Sequence, residues 1–258
     1  MTLKVKAISK KGKPLEALVQ GTDQTMLNTI RRLILEEVPT MAIETVEFYD
    51  NSSAMFDEYI AHRLGLIPLT TDLKTYKLPE ECCGGECAKC SATLTLDAKG
   101  PGLVLSGELK SKDPKVKPAD KNIPIIKLTK NQNLRLEAKA VLGKGRNNAK
   151  WQPGSVGYRY VYDIQTDKGL EKPDAVAKVC PQGALGVKAG KLVLSEALKC
   201  DGCGECVIAS KKKVKVNPVK DSFILTLDSK GALSDKQIIS KACEIGTAKL
   251  SEIEKELK

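Results

Sequence analysis

The feature that most constrains this chain is a run of three closely spaced cysteines near residue 200. The stretch KCDGCGECVIASKK places Cys200, Cys203 and Cys206 in a C-x2-C-x2-C array. Thiolates at this spacing are typical of the ligands around three corners of an iron–sulfur cube, and a fourth normally follows four residues after the third. That position is Ser210, so the fourth ligand has to come from elsewhere in the chain.

The spacing rule of two-cluster ferredoxins predicts where that fourth ligand lies. Such proteins repeat C-x2-C-x2-C-x3-C-P, and the last cysteine of each repeat ligates the cluster of the other repeat. The segment KVCPQGALGV supplies Cys180 directly before Pro181, as the end of a first repeat does. The companion cluster has lost all four of its cysteine positions, which are Leu170, Pro173, Val176 and Ser210.

The sequence therefore predicts one cluster, held by Cys180, Cys200, Cys203 and Cys206. A 4Fe–4S cluster is expected, or a 3Fe–4S form if one corner is labile, and a four-thiolate zinc site is the alternative. Because the companion site is missing, the pattern favours a structural role for the cluster over electron transport. A ferredoxin-like redox protein with an unknown partner domain remains the alternative function.

A second group of cysteines lies in the segment ECCGGECAKC. It consists of Cys82, Cys83, Cys87 and Cys90. Four thiolates within nine residues can hold zinc tetrahedrally. The adjacent pair is expected to be awkward because neighbouring side chains rarely converge on one ion, so disulfides or an unoccupied site remain alternatives.

Composition narrows the class of protein. The start MTLKVKAISKKG has no signal-peptide core, so a cytoplasmic protein without membrane spans is expected. The chain has 258 residues, nine of them cysteines, and in that compartment they are not expected to form a disulfide framework. His62 is the only histidine and is expected to be packed or hydrogen-bonded. A net charge of +10 with only 4% aromatic residues indicates acidic partners or distant attraction to DNA, and any DNA contact is expected to be indirect.

Two long helices are predicted at opposite ends of the chain. Apolar residues recur at helical spacing over 25–38 and again over 235–257, where Ser234 and Gln237 form a capping box. Alternating patterns predict strands at 3–8 and 15–20, in NLRLEAKAVLG, in VGYRYVYDI and in FILTLDS. The segment 42–70 is expected to mix short strands and turns. The fold class is α+β.

Three further segments indicate a family. The stretches NTIRRL and HRLGLIPL, together with the loop AVLGKGRNNAKWQP, resemble the D subunit of archaeal DNA-directed RNA polymerase. That family is similar to the N-terminal domain of the bacterial alpha subunit and to the eukaryotic third-largest polymerase subunit. The resemblance spans the whole chain, including the ferredoxin-like insert that some archaeal members carry.

The resemblance implies three domains and an assembly role in transcription. Residues 1–45 and 218–258 would form a discontinuous dimerisation domain with two long helices on a sheet, 46–167 a mostly β inserted domain, and 168–217 a small ferredoxin-like iron–sulfur domain. The helices would pair with the small alpha-like L subunit in a heterodimer. The second-largest and largest subunits and small zinc-bearing subunits would then join this platform. The apolar stripes assign to the interface Leu27, Ile30, Leu33, Ile34, Ile239, Ile245 and Ile253.

The resemblance also bears on the metal sites and on catalysis. The family's cluster ligands all match, whereas its zinc-type loop, C-x-C-x3-C-x2-C, differs here because the first cysteine is displaced to Cys82. The chain has no aspartate triplet for two-metal nucleotidyl transfer, and GKGRNNAK is not a phosphate-binding P-loop. No catalytic residue is therefore expected within this chain.

Overall fold

The computed structural model describes residues 3–9, 14–84, 87–167 and 169–257. Five α-helices and twelve strands lie within these residues, joined by short 3-10 turns. In chain order they are β1 Lys4–Ala7, β2 Leu15–Gln20, α1 Gln24–Glu36, β3 Thr40–Asn51, α2 Asp57–Gly65, β4 Ser91–Lys99, β5 Gly102–Leu105, β6 Lys110–Ser111, β7 Pro124–Leu128, β8 Asn133–Gly143, β9 Gly154–Thr166, α3 Pro173–Val179, β10 Leu185–Lys188, β11 Lys191–Leu194, α4 Glu205–Ala209, β12 Val214–Ser229 and α5 Asp235–Glu256. None of these helices is long and apolar enough to cross a membrane.

The chain divides into two compact units. The first comprises the described parts of Met1–Asn28 and Gly157–Leu227, and the second those of Thr29–Val156 and Asp228–Lys258. The α+β class predicted from the sequence is confirmed, because antiparallel sheets and helices both contribute to the fold.

The first unit contains a four-stranded sheet in the order β1–β2–β12–β9. Strand β12 pairs antiparallel with β2 so that Phe223 lies opposite Val19, and both side chains are buried. The same unit carries α3, the β10–β11 hairpin and α4 within 168–217. The two strands of the hairpin pair antiparallel, with Leu185 opposite Leu194.

The second unit is built on a four-stranded antiparallel sheet in the order β3–β8–β4–β6. The central strand β8 buries one face, as its alternating sequence predicts: Leu134, Leu136, Ala138 and Ala140 are each at most 1% exposed. A separate ribbon of β5 and β7 and the helix α2 pack against the same core.

The two long helices are close to their predicted positions. The capping box at the start of α5 is confirmed, with the Gln237 N–H donating to Ser234 Oγ and Ser234 N–H donating to Gln237 Oε1. Gly246, which weakens a helix interior, has a packing reason: a Cβ there would lie 2.9 Å from Cδ1 of Leu33. The glycine therefore permits close approach between α5 and the C-terminal part of α1.

The prediction of short strands and turns over 42–70 was wrong. This segment contains the long strand β3 and the helix α2. The apolar Phe56 occupies the N-cap position of α2, where a polar residue usually marks the start of a helix. Ile60 and Leu64 are the large side chains on its buried face. His62 is exposed on this helix, so of the two alternatives for this histidine, packed or hydrogen-bonded, the packed one is wrong.

Candidate metal centres

The structure gathers Cys82, Cys83, Cys87 and Cys90 into one group whose sulfur atoms all lie within 4.8 Å of one another. The closest pairs are Cys82–Cys87 at 3.3 Å and Cys83–Cys90 at 3.4 Å. Zinc–sulfur bonds of about 2.3 Å in a tetrahedron place the sulfurs about 3.8 Å apart. The donor set and its spacing therefore fit a single thiolate-bound metal ion.

The fold of the preceding turn explains how two adjacent cysteines reach the same group. The N–H groups of Cys82 and Gly84 both donate to the carbonyl of Pro79, at 3.2 and 3.0 Å. Cys82 has φ −129° and ψ −108°, which is neither helical nor extended, so its side chain and that of Cys83 do not alternate as they would in a strand. The adjacent pair, expected to be awkward for one ion, therefore does converge.

Hydrogen bonds among the thiols affect their protonation. Hydrogen bonding with the Cys87 thiol, together with burial and the neighbouring Cys90 and Cys83, raises the pKa of Cys82 to about 12. Without a cation Cys82 is therefore a neutral thiol. A bound metal displaces the thiol proton because only the thiolate is a ligand.

The second set of cysteines surrounds a cavity in the first unit. Cys180, Cys200, Cys203 and Cys206 line it together with the apolar side chains of Ile164, Leu185 and Val216. Among the described residues, only the Cys82–Cys90 group meets the 4.8 Å single-ion spacing. Four thiols around a cavity with apolar walls, set wider than one ion requires, suit a polynuclear cluster.

Local backbone geometry presents these four cysteines to the cavity. Cys180 caps the C-terminus of α3, and its sulfur accepts the Ala184 N–H at 3.4 Å. Gly202 has φ +75°, and a Cβ on it would lie 2.5 Å from the Tyr162 ring, so only glycine fits between Cys200 and Cys203.

The electrostatics of this set favour a bound cation. Burial raises the pKa of both Cys200 and Cys206. A bound metal cation would offset that cost of forming thiolates. The carboxylate of Asp201 accepts hydrogen bonds from Cys203 N–H at 3.1 Å and from Gln182 Nε2 at 3.0 Å, which fixes the loop. Asp201 and Gln182 are positioning residues that the sequence analysis missed.

The positions predicted for a companion cluster are occupied by residues with ordinary structural roles. Val176 is 3% exposed and belongs to the same small core as Cys206. The Ser210 hydroxyl donates to the Val207 carbonyl at 3.1 Å and accepts the Val214 N–H at 3.0 Å. Pro173 is the first residue of α3, where proline is favoured. These positions now serve packing and capping.

The residues predicted for the partner interface differ widely in exposure. Leu27 and Ile34 are buried within the chain itself, at 1% and 0% exposure. Ile253 is 54% exposed. The remaining members, all partly buried, are Ile30, Leu33, Ile239 and Ile245. The C-terminal end of α5 carries two more exposed apolar side chains that the interface prediction left out, Leu250 and Leu257.

Residues 43–157 match the family described as RNA polymerase Rpb3/RpoA insert domain. The chain is 38% identical to the DNA-directed RNA polymerase subunit Rpo3 of Methanosarcina acetivorans, over 98% of this chain and 97% of that protein. It is 40% identical to the Rpo3 of Methanothermobacter thermautotrophicus, over 88% and 89%. Against the Rpo3 of Pyrococcus furiosus, identity is 38% over 94% and 92%.

Proposed function

Since this chain belongs to the Rpo3 family and is a subunit of DNA-directed RNA polymerase, we propose that it acts there as a non-catalytic assembly subunit. It pairs with a small alpha-like subunit, and the heterodimer forms the platform on which the second-largest and largest subunits assemble for transcription. The observation that carries this proposal is the similarity to Rpo3 proteins along nearly the whole chain.

The small subunit binds at the two terminal segments, 1–45 and 218–258. The exposed apolar side chains of Leu250, Ile253 and Leu257 support this assignment, because they recur at i, i+3 and i+7 on one side of α5. A helix that exposes such a stripe gains stability when a partner covers it. Leu27 and Ile34 contribute to the interface indirectly, because they are buried and stabilise the position of α1.

The inserted domain, 46–167, contacts the larger subunits. The match to the insert-domain family over 43–157 supports this division. Phe56, Tyr59 and Leu66, which are 73%, 63% and 57% exposed, supply apolar contact area around α2. Small zinc-bearing subunits complete the platform, and DNA is contacted only indirectly.

The ferredoxin-like domain, 168–217, holds one structural iron–sulfur cluster. Cys180, Cys200, Cys203 and Cys206 would be its ligands, and the cluster would crosslink α3, the loop before α4 and α4 itself. The companion positions support a structural role, because none of Leu170, Pro173, Val176 and Ser210 could ligate a second redox centre as a cysteine would. The Cys82–Cys90 group would hold one zinc ion and close the loop before β4.

Co-expression with the small subunit tests the proposal. The expected result is a stable heterodimer that makes no RNA alone and that supports polymerase activity once the large subunits are added. A chain that remains monomeric in the presence of the small subunit, or that synthesises RNA alone, contradicts the proposal.

A further inference from the structure

A surface groove lies at the positions where the companion cluster has been lost. Its volume is about 470 Å³. Three of the four former ligand positions line it, namely Leu170, Val176 and Ser210. Ser210 makes its hydrogen bonds within the fold, so the groove keeps apolar walls at these positions.

The groove is apolar inside and basic at its edge. Its remaining apolar walls are Ala175, Val179 and Ala209, and its charged residues are Lys172, Lys211, Lys213 and Glu171. Val179 is 43% exposed, so the interior is open to a partner side chain. Three lysines against one glutamate give the edge a net positive charge.

The conformation of the lysines at the end of α4 is unusual. Lys211 and Lys212 have φ of +51° and +65°, the left-handed region that glycine adopts most easily. Their N–H groups donate to the carbonyls of Ile208 and Val207, as in a helix C-terminal cap. Glycine is the residue usually found at such a position, so lysine here keeps a positive charge beside the groove at a conformational cost.

We propose that this groove binds an acidic peptide segment of a partner protein, with an apolar side chain of that segment inserted between α3 and α4. Charge complementarity selects the acidic flanks, and the apolar walls select the anchor. Single-stranded nucleic acid is disfavoured because, among the described residues that line the groove, none is aromatic and able to stack on a base.

Both walls of the groove are attached to cluster ligands. Cys180 directly follows α3, and Cys206 lies within α4, whose last residue Ala209 lines the groove. Peptide binding should therefore depend on the cluster, an extension that rests on the proposed iron–sulfur site.

Fluorescence anisotropy of the full chain provides the test. The probe is a fluorescein-labelled peptide with leucines at helical spacing flanked by glutamates, compared with a twin that carries lysines instead. Saturable binding of the glutamate peptide alone is expected. Filling the groove with Ala175→Trp, or reversing its charge with Lys172→Glu and Lys211→Glu together, should weaken binding by about tenfold or more.

The matched control reverses two exposed lysines of the β10–β11 hairpin, Lys188→Glu and Lys191→Glu, and should change affinity less than about twofold. An equal loss in this control, binding of the lysine twin, or absence of saturable binding overturns the proposal. So does oligonucleotide binding that competes with the peptide and survives Ala175→Trp.

Visible iron–sulfur absorbance is recorded for each preparation. Peptide binding by wild-type chain without that absorbance upholds the groove while contradicting the cluster. Weaker binding by Cys203→Ser supports the extension to cluster dependence, and unchanged binding by a cluster-free Cys203→Ser protein overturns that extension.

Discussion

The Glu37 carboxylate accepts a hydrogen bond of 2.7 Å from Nζ of Lys249. Glu37 directly follows α1, its side chain is 4% exposed, and it also pairs with Arg146 and, at 3.7 Å, with Lys144. One buried carboxylate thus connects three segments of the second unit: the end of α1, the loop after β8, and α5. The basic residues of GKGRNNAK, which do not form a phosphate-binding loop, have a structural role here.

Replacing Glu37 with glutamine should lower the free energy of unfolding by about 1–3 kcal/mol, because it leaves three cations around an uncharged buried amide. Denaturant titration at neutral pH measures this change. Glu36→Gln is the matched control, since Glu36 pairs with the exposed Arg32 four residues earlier, and it should cost less than about 0.5 kcal/mol. Equal effects of the two variants would contradict the role of the Glu37 cluster.

The contribution of Glu37 should also depend on pH. Burial raises the pKa of Glu37, but the hydrogen bond from Lys249 and the charges of Lys249, Arg146 and Lys144 outweigh it, so its pKa lies below the ordinary value. A lowered folded-state pKa stabilises the protein above the unfolded-state pKa, about 4.3, and this stability is lost as pH falls through the folded-state pKa. The stability difference between wild type and Glu37→Gln should therefore shrink in acid. A stability difference that stays constant from neutral pH to below the unfolded-state pKa, measured by denaturant titration, would argue against this linkage.

The exposed stripe of α5 should be needed for the small subunit and dispensable for folding. Leu250→Asp together with Ile253→Asp should weaken the heterodimer by at least about tenfold, because the carboxylates would be buried without partners in the interface. The melting temperature of the chain alone should change little, since both side chains are already more than half exposed. Isothermal titration with the small subunit measures the affinity.

The control for that experiment is Ser251→Asp, which adds a charge to an exposed polar position of the same helix. It should leave the heterodimer affinity within about threefold of wild type. If the stripe variant binds as tightly as this control, the interface lies elsewhere.

The Cys82–Cys90 group should bind about one zinc ion per chain. Cys90→Ser removes the one fully buried thiol of the set and should abolish stoichiometric zinc, measured by elemental analysis of purified protein. Cys243→Ser, which removes an exposed cysteine of α5, should leave the zinc content unchanged. Zinc-free wild-type protein, or zinc that persists in Cys90→Ser, would show that these thiols do not form the site.

Helices with strong local sequence signals were predictable from the sequence, and those whose stability depends on tertiary contacts were not. Helix α5 has a capping box and a long apolar stripe, so its position follows from local rules. Helix α2 lacks a polar N-cap residue, and Ile60 and Leu64 are its only large buried side chains. A spacing of four residues fits a helix and a strand alike, so this short pattern does not distinguish the two. Its stability comes instead from the core of the second unit.

The same distinction applies to the candidate sites. The division of cysteines into two groups of four follows from spacing alone, and the structure places each group around a common centre. The convergence of Cys82 and Cys83 depends on the dihedral angles of one residue, which spacing does not reveal. Glu37 was missed because its three partners lie far from it along the chain.

The last prediction concerns the proposed cluster. Cys203→Ser should remove or degrade it, because an exposed corner ligand is lost, and should increase proteolysis within 168–217. The small core around Val176 and Cys206 is too limited to hold this segment alone, whereas the elements at the chain ends bury residues outside that core, such as Val19, Ile224 and Ile238. The small subunit should therefore still bind, while addition of the large subunits weakens.

Visible absorbance, limited proteolysis and pull-down of each partner measure these effects, with Cys243→Ser as the control that keeps the cluster. A structural cluster predicts that absorbance, protease resistance and joining of the large subunits are lost together. If the cluster-free protein instead resists proteolysis and assembles normally but loses a measurable electron-transfer activity, the cluster is a redox centre. The ferredoxin-like alternative would then be correct. Electrons would pass through this single centre, because no cysteine remains at the companion positions to hold a second one.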